Sequence, residues 1–261
     1  MKLNTTVAGP AGPAEPASGK TPVLLVHGLF GQARNLGTLA RALSQDRTVI
    51  SVDMRNHGES PHDADNSYPA MAGDLAQVIR DHGAPMDVVG HSMGGKAAMW
   101  LALAQPELVR RLVVLDIAPV AYAHSQMKYI DAMEAVDFSA CTTRSAADAA
   151  LSARVADPGV RAFLLQSLDL RATPPRFRMN LLVLRAEMDT LTGWPGSEGK
   201  SWNGEALFLA GADSDYVLPD YEPAIFTAFP EARLERVAGA GHWLHAEKPG
   251  EVAESVVGFL G

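Results

Sequence analysis

The sequence predicts an α/β fold in which a mostly parallel β-sheet carries helices on both faces. Short runs of consecutive apolar residues, typical of strands buried on both sides, alternate with segments whose apolar residues recur at helical spacing. The alternation breaks once, between Ile117 and Asn203, where helical stretches occur without a clear buried strand. We therefore expect a core of residues 1–116 and 204–261, with a mostly helical cap, residues 117–203, inserted into it.

The core elements are expected to follow one another as strand and helix units. Residues 9–19, rich in Pro, Ala and Gly, are expected to form a loop before the first strand. The strands are expected at residues 21–26, 47–52, 87–89, 111–115, 206–209 and 234–237. The clearest helices are expected at residues 35–43, at 71–82, where apolar residues share one face, and in the last ten residues, where Val252, Val256, Phe259 and Leu260 form one stripe.

Composition and charge limit the classes of partner. The 261 residues are 47% hydrophobic and 20% charged, which is typical of one large globular domain or of a core with an inserted cap. The net charge of −8 makes nucleic acids and anionic membranes poor partners. No apolar run is long enough to span a bilayer, and Met1–Val7 lacks a signal-peptide core. The only cysteine, Cys141, cannot form an internal disulfide, so we expect a reducing, cytoplasmic location.

The most informative motif is G-x-S-x-G, formed by Gly90, Ser92 and Gly94. A strand-like apolar run precedes it, and a helical run of small residues follows. A serine on such a sharp strand-to-helix turn presents its hydroxyl beyond the sheet edge, and the flanking glycines remove side chains that would collide there. The motif in this context predicts a nucleophile elbow, with Ser92 as the nucleophile of a serine hydrolase.

A serine nucleophile needs a histidine that accepts its proton. Three histidines follow Ser92: His124, His242 and His245. His242 lies just after the last predicted strand, in the glycine-containing segment 239–243, where the loop can bend back over the sheet edge. His124 falls at the entrance to the cap. His245 is expected to cap a helix or to contact the glutamate two residues beyond it, so His242 is the predicted base.

The acid that orients the histidine has more than one candidate. Its usual place is the loop after the strand at 206–209, but the expected position there holds Ser214, with Asp213 and Asp215 on either side. A shift of one residue turns a side chain away from the site. Asp116 instead ends the preceding strand, and catalytic groups collect at such strand ends. We favour Asp116 and keep Asp213 and Asp215 as alternatives.

The same site needs two backbone amides that stabilise the developing oxyanion. Met93, directly after the nucleophile, supplies one. The other is expected from the glycine-containing loop after the first long strand, where either Leu29 or Phe30 can offer its N–H. His27 in this loop is expected to be a structural anchor.

The cap carries six large apolar side chains that admit two interpretations. They form a separate helical core, or several of them line an apolar pocket above Ser92. The six are Met127, Met133, Phe163, Phe177, Trp194 and Trp202.

Five segments together resemble one known family. They are HGLFG (27–31), VDMRNHGES (52–60), GHSMGGKAAM (90–99), LDIAPVAY (115–122) and GAGHWLHAEKP (239–249). The chain resembles α/β-hydrolases of the YbfF-type esterase group, related to abhydrolase-domain proteins. The resemblance implies the α/β-hydrolase fold with its cap after the sixth strand, and carboxylesterase activity on small acyl esters without metal or organic cofactor. It also implies Asp116 as the acid, with Ser214 matching a serine in the usual acid loop.

The function expected from these residues is therefore a serine carboxylesterase that hydrolyses small to medium acyl esters through a Ser-His-Asp triad and an acyl-enzyme. Its expected partner is a small-molecule ester. Thioesterases, carbon–carbon bond hydrolases and cofactor-free haloperoxidases share the constellation and stay as alternatives. A catalytically idle binding protein on the same scaffold is a further alternative. Dehalogenases and epoxide hydrolases of this fold use an aspartate nucleophile, and Ser92 argues against both.

Overall fold

A seven-stranded sheet forms the centre of the protein, whose computed structural model describes residues 1–10, 19–197 and 199–261. Along the described chain the strands are β1 (Thr5–Ala8), β2 (Val23–Val26), β3 (Val49–Val52), β4 (Met86–His91), β5 (Val109–Leu115), β6 (Leu168–Asp169), β7 (Arg176–Phe177), β8 (Glu205–Gly211) and β9 (Ala232–Val237). The sheet has the order β1-β3-β2-β4-β5-β8-β9. All its pairs are parallel except β1 with β3. The predicted fold class is confirmed.

Helices cover both faces of this sheet. The α-helices of the described residues are α1 (Gly37–Leu43), α2 (Tyr68–His82), α3 (Met93–Ala104), α4 (Met127–Glu134), α5 (Arg144–Ser152), α6 (Pro158–Leu164), α7 (Leu181–Ala186), α8 (Met188–Thr192), α9 (Glu222–Ala228), α10 (Leu244–Glu247) and α11 (Pro249–Leu260). Within β2, Val23 and Leu25 pack against α1 and α11, whereas Leu24 and Val26 face the layer of α2 and α3. Strands buried on both faces explain the continuous apolar runs in the sequence.

The six strands expected from the sequence all occur, and the sheet has one more. Strand β1 was not predicted, because its sequence, TTVA, is short and mostly exposed at the edge of the sheet. It pairs antiparallel with β3, from Thr5 opposite Val52 to Ala8 opposite Val49. The loop expected at residues 9–19 falls mostly outside the described residues. Among those described, every helix falls short of the length and apolarity that a membrane span needs.

The interruption in the strand pattern corresponds to the segment between β5 and β8. Its described residues form five α-helices, α4 to α8, and the two-residue strands β6 and β7, which pair as a small antiparallel ribbon. The resemblance implied an insertion after the sixth strand; counted along the described residues, the strand before it is the fifth. The exact boundaries of core and cap remain a prediction.

The end of the cap is tied to two core helices by hydrogen bonds to consecutive carbonyls. The hydroxyl of Tyr68 on α2 donates to Leu191 O at 2.6 Å. The Lys96 ammonium on α3 donates to the carbonyls of Thr192, at 3.0 Å, and Gly193. Lys96 is only 1% exposed, and no carboxylate of the described residues forms an ion pair with it. Burial lowers the pKa of Lys96 to about 7.

The buried Lys96 predicts a specific pH dependence of stability. Its pKa is about 7 in the folded protein, against 10.5 ordinarily, so the unfolded chain binds more protons between these values. The free energy of unfolding should therefore rise with pH across this window. Lys96→Met removes the titrating group, so the Tm of wild type relative to this variant should increase as the pH is raised from 7 towards 10. Thermal unfolding of both proteins measures this, and a difference independent of pH would contradict it.

Candidate active site

The turn between β4 and α3 has the strained geometry of a nucleophile elbow. Ser92 has φ 52° and ψ −121°, a left-handed conformation that is unfavourable for a residue with a side chain. A Cβ at Gly90 would lie 2.4 Å from the carbonyl oxygen of Gly94, and one at Gly94 would lie 2.5 Å from that of His27. Only glycine fits at either position. The G-x-S-x-G motif therefore allows the chain to turn tightly enough to expose the hydroxyl of Ser92.

The hydroxyl of Ser92 belongs to an unbroken chain of hydrogen bonds. His242 Nε2 lies 3.0 Å from Ser92 Oγ, and His242 Nδ1 lies 2.8 Å from Asp116 Oδ2. Since the carboxylate only accepts, Nδ1 carries the proton and donates to it. Nε2 is then left to accept from the serine hydroxyl, which is the arrangement that proton removal requires.

Asp116 is held in place by groups from the neighbouring strand and its loop. It follows β5 directly, has φ 50° and is fully buried. Its Oδ1 accepts from Gly211 N at 2.8 Å, and its Oδ2 accepts from Ser214 Oγ at 2.5 Å as well as from His242. The alternatives lie elsewhere: Asp213 is exposed, without a side-chain hydrogen bond to any described residue, and Asp215 lines the mouth of the cavity described below. The carboxylate that touches His242 is thus that of Asp116.

The loop carrying His242 is fastened on both sides of that residue. Gly241 N donates to Glu247 Oε2 at 2.7 Å, and the ring of His91 bonds the carbonyl of His242 through Nε2 at 2.9 Å. Because a carbonyl only accepts, His91 Nε2 carries a proton. Burial lowers the pKa of His91 well below its usual value, so this ring is neutral. These two hydrogen bonds fix the position of the loop relative to the carboxyl edge of the sheet.

His245 differs from its expected role. Its ring makes no hydrogen bond with Glu247, whose carboxylate accepts from Gly241 N, and it does not cap α10. Helix α10 turns His245 inward, where its ring packs 4.3 Å from the ring of His91. Burial lowers its pKa to about 4. His245 thus packs behind the loop, and His124 lies by the cavity mouth, 4.7 Å from the ring of Tyr216.

The backbone amides near Ser92 distinguish between the two oxyanion candidates. Phe30 N donates to His57 Nε2 at 3.2 Å, so it is already occupied. Neither Leu29 nor Met93 donates its backbone N–H to any described residue, and both line the cavity. The loop is supported from below by His27, whose Nε2 accepts from Met54 N at 2.9 Å, in agreement with its expected structural role.

A partly enclosed cavity of about 350 Å³ opens over Ser92. Its wall is mostly apolar, and both core and cap contribute to it. Of the six large apolar side chains singled out in the cap, only Phe163 lines this cavity; Met133, Phe177 and Trp202 are buried in packing instead. The cap lining comes mainly from residues that the sequence did not distinguish: Tyr122, Tyr129, Val160, Leu164 and Leu191. Most of the six therefore serve packing, but they do not form a core of their own: Met133, Phe177 and Trp202 share one buried cluster with residues of α2 and α3.

Comparisons with known proteins agree with this geometry. Residues 21–249 match the family described as alpha/beta hydrolase fold. The chain is 40% identical to Esterase YbfF of Escherichia coli over 262 residues, covering 100% of this chain and 99% of that one. It is 40% identical to the sn-1-specific diacylglycerol lipase ABHD11 of Mus musculus over 247 residues, covering 91% and 80%. A solved marine microorganism esterase superposes with a TM-score of 0.91 at 33% identity, covering 99% of each chain.

These similarities extend over the whole architecture. The family match includes the elbow at Ser92, Asp116 and the loop with His242. The full-length match to an esterase leaves no large segment of either chain without a counterpart. The chain therefore belongs to the α/β-hydrolase family and, within it, to the YbfF-type esterase group of carboxylic ester hydrolases.

Proposed function

We propose that the protein is a serine carboxylesterase that hydrolyses small to medium acyl esters through a covalent acyl-enzyme. The observation that carries this proposal is the unbroken hydrogen-bonded chain from Ser92 through His242 to Asp116 at the floor of an apolar cavity. The names of the relatives, esterase and diacylglycerol lipase, support the choice of ester substrates.

Acylation begins when His242 Nε2 takes the proton of Ser92 as its Oγ attacks the ester carbonyl carbon. The carbonyl oxygen gains negative charge, and the amides of Leu29 and Met93 donate hydrogen bonds to it. Collapse of this intermediate breaks the bond to the alkoxy oxygen, which leaves as an alcohol with the proton from His242. Water then attacks the acyl carbon while His242 takes its proton. The carboxylic acid is released, and Ser92 regains its proton from His242.

Asp116 stabilises the positive charge that His242 carries in both steps. Its carboxylate accepts from Gly211 N, from the Ser214 hydroxyl and from His242, so it remains fixed while the imidazole gains and loses a proton. The negative charge of the buried carboxylate compensates the imidazolium.

The size of the cavity supports acyl groups of small to medium length. A volume of about 350 Å³ lies at the lower end of the range for small-molecule sites. Part of its wall is held in place by hydrogen bonds, because Tyr68 and Lys96, which line the cavity, bind the carbonyls of residues 191–193. Thioester, carbon–carbon bond and peroxide chemistry use the same triad, so substrate measurements must separate them.

The first experiment is a series of p-nitrophenyl esters from acetate to palmitate, with an acyl thioester and an amide as comparisons. We expect kcat/KM to be highest for a short or medium acyl ester. Ser92→Ala should lose about 10⁶-fold in kcat, the usual cost of removing such a nucleophile, while keeping its circular dichroism spectrum. A maximum at palmitate would contradict the proposed chain length. Hydrolysis by the Ser92→Ala protein at the wild-type rate would exclude the mechanism.

The acid can be tested by a matched pair of substitutions. Asp116→Asn keeps the shape of the side chain but removes the charge, and a comparable change in another triad costs about 10⁴-fold in kcat. Asp213→Asn should leave kcat nearly unchanged, because Asp213 is exposed and does not touch His242. Ser214→Ala should cause a modest loss, since Asp116 would lose one of its donors. The acid assignment is wrong if Asp213→Asn is the inactive variant and Asp116→Asn stays active.

The two histidines of the loop after β9 form the second matched pair. His242→Ala should be about as inactive as Ser92→Ala, because no other base reaches the serine hydroxyl among the described residues. His245→Ala removes a ring that packs against His91, so kcat per folded molecule should be retained even where Tm falls. Steady-state kinetics with thermal unfolding as the control measure both effects. The opposite ranking would identify His245 as the base.

A further inference from the structure

One aromatic side chain lies flat against the proposed base. The ring of Tyr216 stacks on the imidazole of His242 with centroids 3.7 Å apart and planes inclined by only 18°. The ring of His91 is also near, with its centroid 4.9 Å from that of the imidazole and its plane inclined by 40°. Rotation of the imidazole out of its plane would bring it into collision with the ring of Tyr216. In this stacked orientation both imidazole nitrogens reach their partners, Ser92 Oγ and Asp116 Oδ2.

Tyr216 itself is fixed by three hydrogen bonds. Its N–H donates to Ser214 Oγ at 3.2 Å, and its carbonyl accepts from the hydroxyl of Tyr122 at 2.7 Å. Its own hydroxyl accepts from Gln126 Nε2 at 2.6 Å. Ser214 in turn donates to Asp116. The residue is therefore connected to the acid through its backbone, to the base through its ring and to the cap through its hydroxyl.

We propose that Tyr216 is a positioning residue for His242: its ring sets the plane of the imidazole, and its hydroxyl ties that plane to the cap through Gln126. The inference rests on the serine esterase function proposed above. Gln126 directly precedes α4, and both Gln126 and Tyr216 line the cavity. The position of the base is thereby connected to the part of the cap that faces the substrate.

The stacking also suits the charge that the ring carries during turnover. When His242 holds the proton of Ser92, its imidazolium lies over the electron-rich face of a tyrosine, which attracts a cation. An aliphatic side chain of similar size would fill the space without this attraction and without a flat surface. The ring of Tyr216, rather than its volume, is therefore the feature that matters for kcat.

The experiment compares substitutions that separate the ring from the hydroxyl. Tyr216→Phe keeps the stacking surface and loses the bond to Gln126; Gln126→Met removes the same bond from the cap side. Tyr216→Leu removes the flat ring, and Tyr216→Met is a second variant with a more adaptable side chain. Tyr216 is half-buried, so these variants should fold. Each is assayed with a short p-nitrophenyl ester, and kcat is normalised to active sites titrated with a fluorophosphonate.

We expect Tyr216→Leu and Tyr216→Met to lose up to about 10²-fold in kcat, the cost of a small misplacement of a catalytic group, with KM changed little. Tyr216→Phe and Gln126→Met should keep kcat within about tenfold of wild type, since each loses one neutral hydrogen bond. Wild-type kcat in Tyr216→Leu, or a rise in KM alone, would overturn the proposal. A loss in Tyr216→Phe as large as in Tyr216→Leu would also overturn it, because the ring would then not be the cause.

The same assay keeps this proposal apart from the esterase mechanism. If wild type hydrolyses the ester and Ser92→Ala does not, the mechanism stands whatever the Tyr216 variants do. If Ser92→Ala turns over the ester as fast as wild type, the mechanism fails, and the Tyr216 proposal fails with it. A purely structural role would lower Tm and the titrated fraction of active sites but leave kcat per active site unchanged, which contradicts the proposal.

Discussion

A buried carboxylate is stable only when its oxygens accept hydrogen bonds, and the donors to Asp116 come from three different places in the chain. Gly211 lies at the end of β8, Ser214 in the loop that follows, and His242 in the loop after β9. These segments must be correctly placed before the carboxylate can be buried without a large penalty. The site can therefore form only when β8, β9 and the loops that follow them are in place.

Backbone strain collects along the same edge of the sheet. Among the described residues, the non-glycine residues with positive φ are Phe30, Asn56, Ser92 and Asp116. Phe30 lies just beyond the carboxyl end of β2, Asn56 beyond that of β3, Ser92 beyond β4 and Asp116 beyond β5. These four strands are neighbours in the sheet. Sharp turns at that edge direct side chains and backbone amides across the carboxyl ends of the strands. Such strain persists because the surrounding packing determines it, and it concentrates where a binding site is built.

The sequence predicted those parts of the site that depend on local backbone. Ser92 and His242 stand beside glycines whose spacing indicates tight turns, so their positions followed from short segments alone. The acid was harder to predict. The choice between Asp116 and Asp213 depends on how β5 and β8 are aligned with each other, and these strands are far apart in sequence. Asp116 was favoured from its place at a strand end, and the structure brings it to His242.

Features that depend on side-chain direction were not predictable in this way. Tyr216 is two residues from the expected acid position, yet nothing in its local pattern indicates that its ring stacks on His242. The cap lining was misjudged for a related reason: large apolar side chains such as Met133 and Trp202 are buried in the hydrophobic core that the cap shares with the sheet and its helices. Strand β1 was missed because edge strands need not be apolar. Each of these errors concerns tertiary packing and not local propensity.

The cap is joined to the core at both of its ends, and the two junctions act on different properties. At its start, Gln126 contacts Tyr216 and hence the ring of His242; at its end, residues 191–193 are held by Tyr68 and Lys96. The first junction reaches the proposed base through the ring of Tyr216, whereas Leu191 and Thr192 of the second line the cavity. Changes at the end of the cap should therefore alter which acyl chains fit, whereas changes that remove the ring of Tyr216 should lower kcat for every acyl chain. One fold can in this way vary its substrate range while Ser92, His242 and Asp116 keep their geometry.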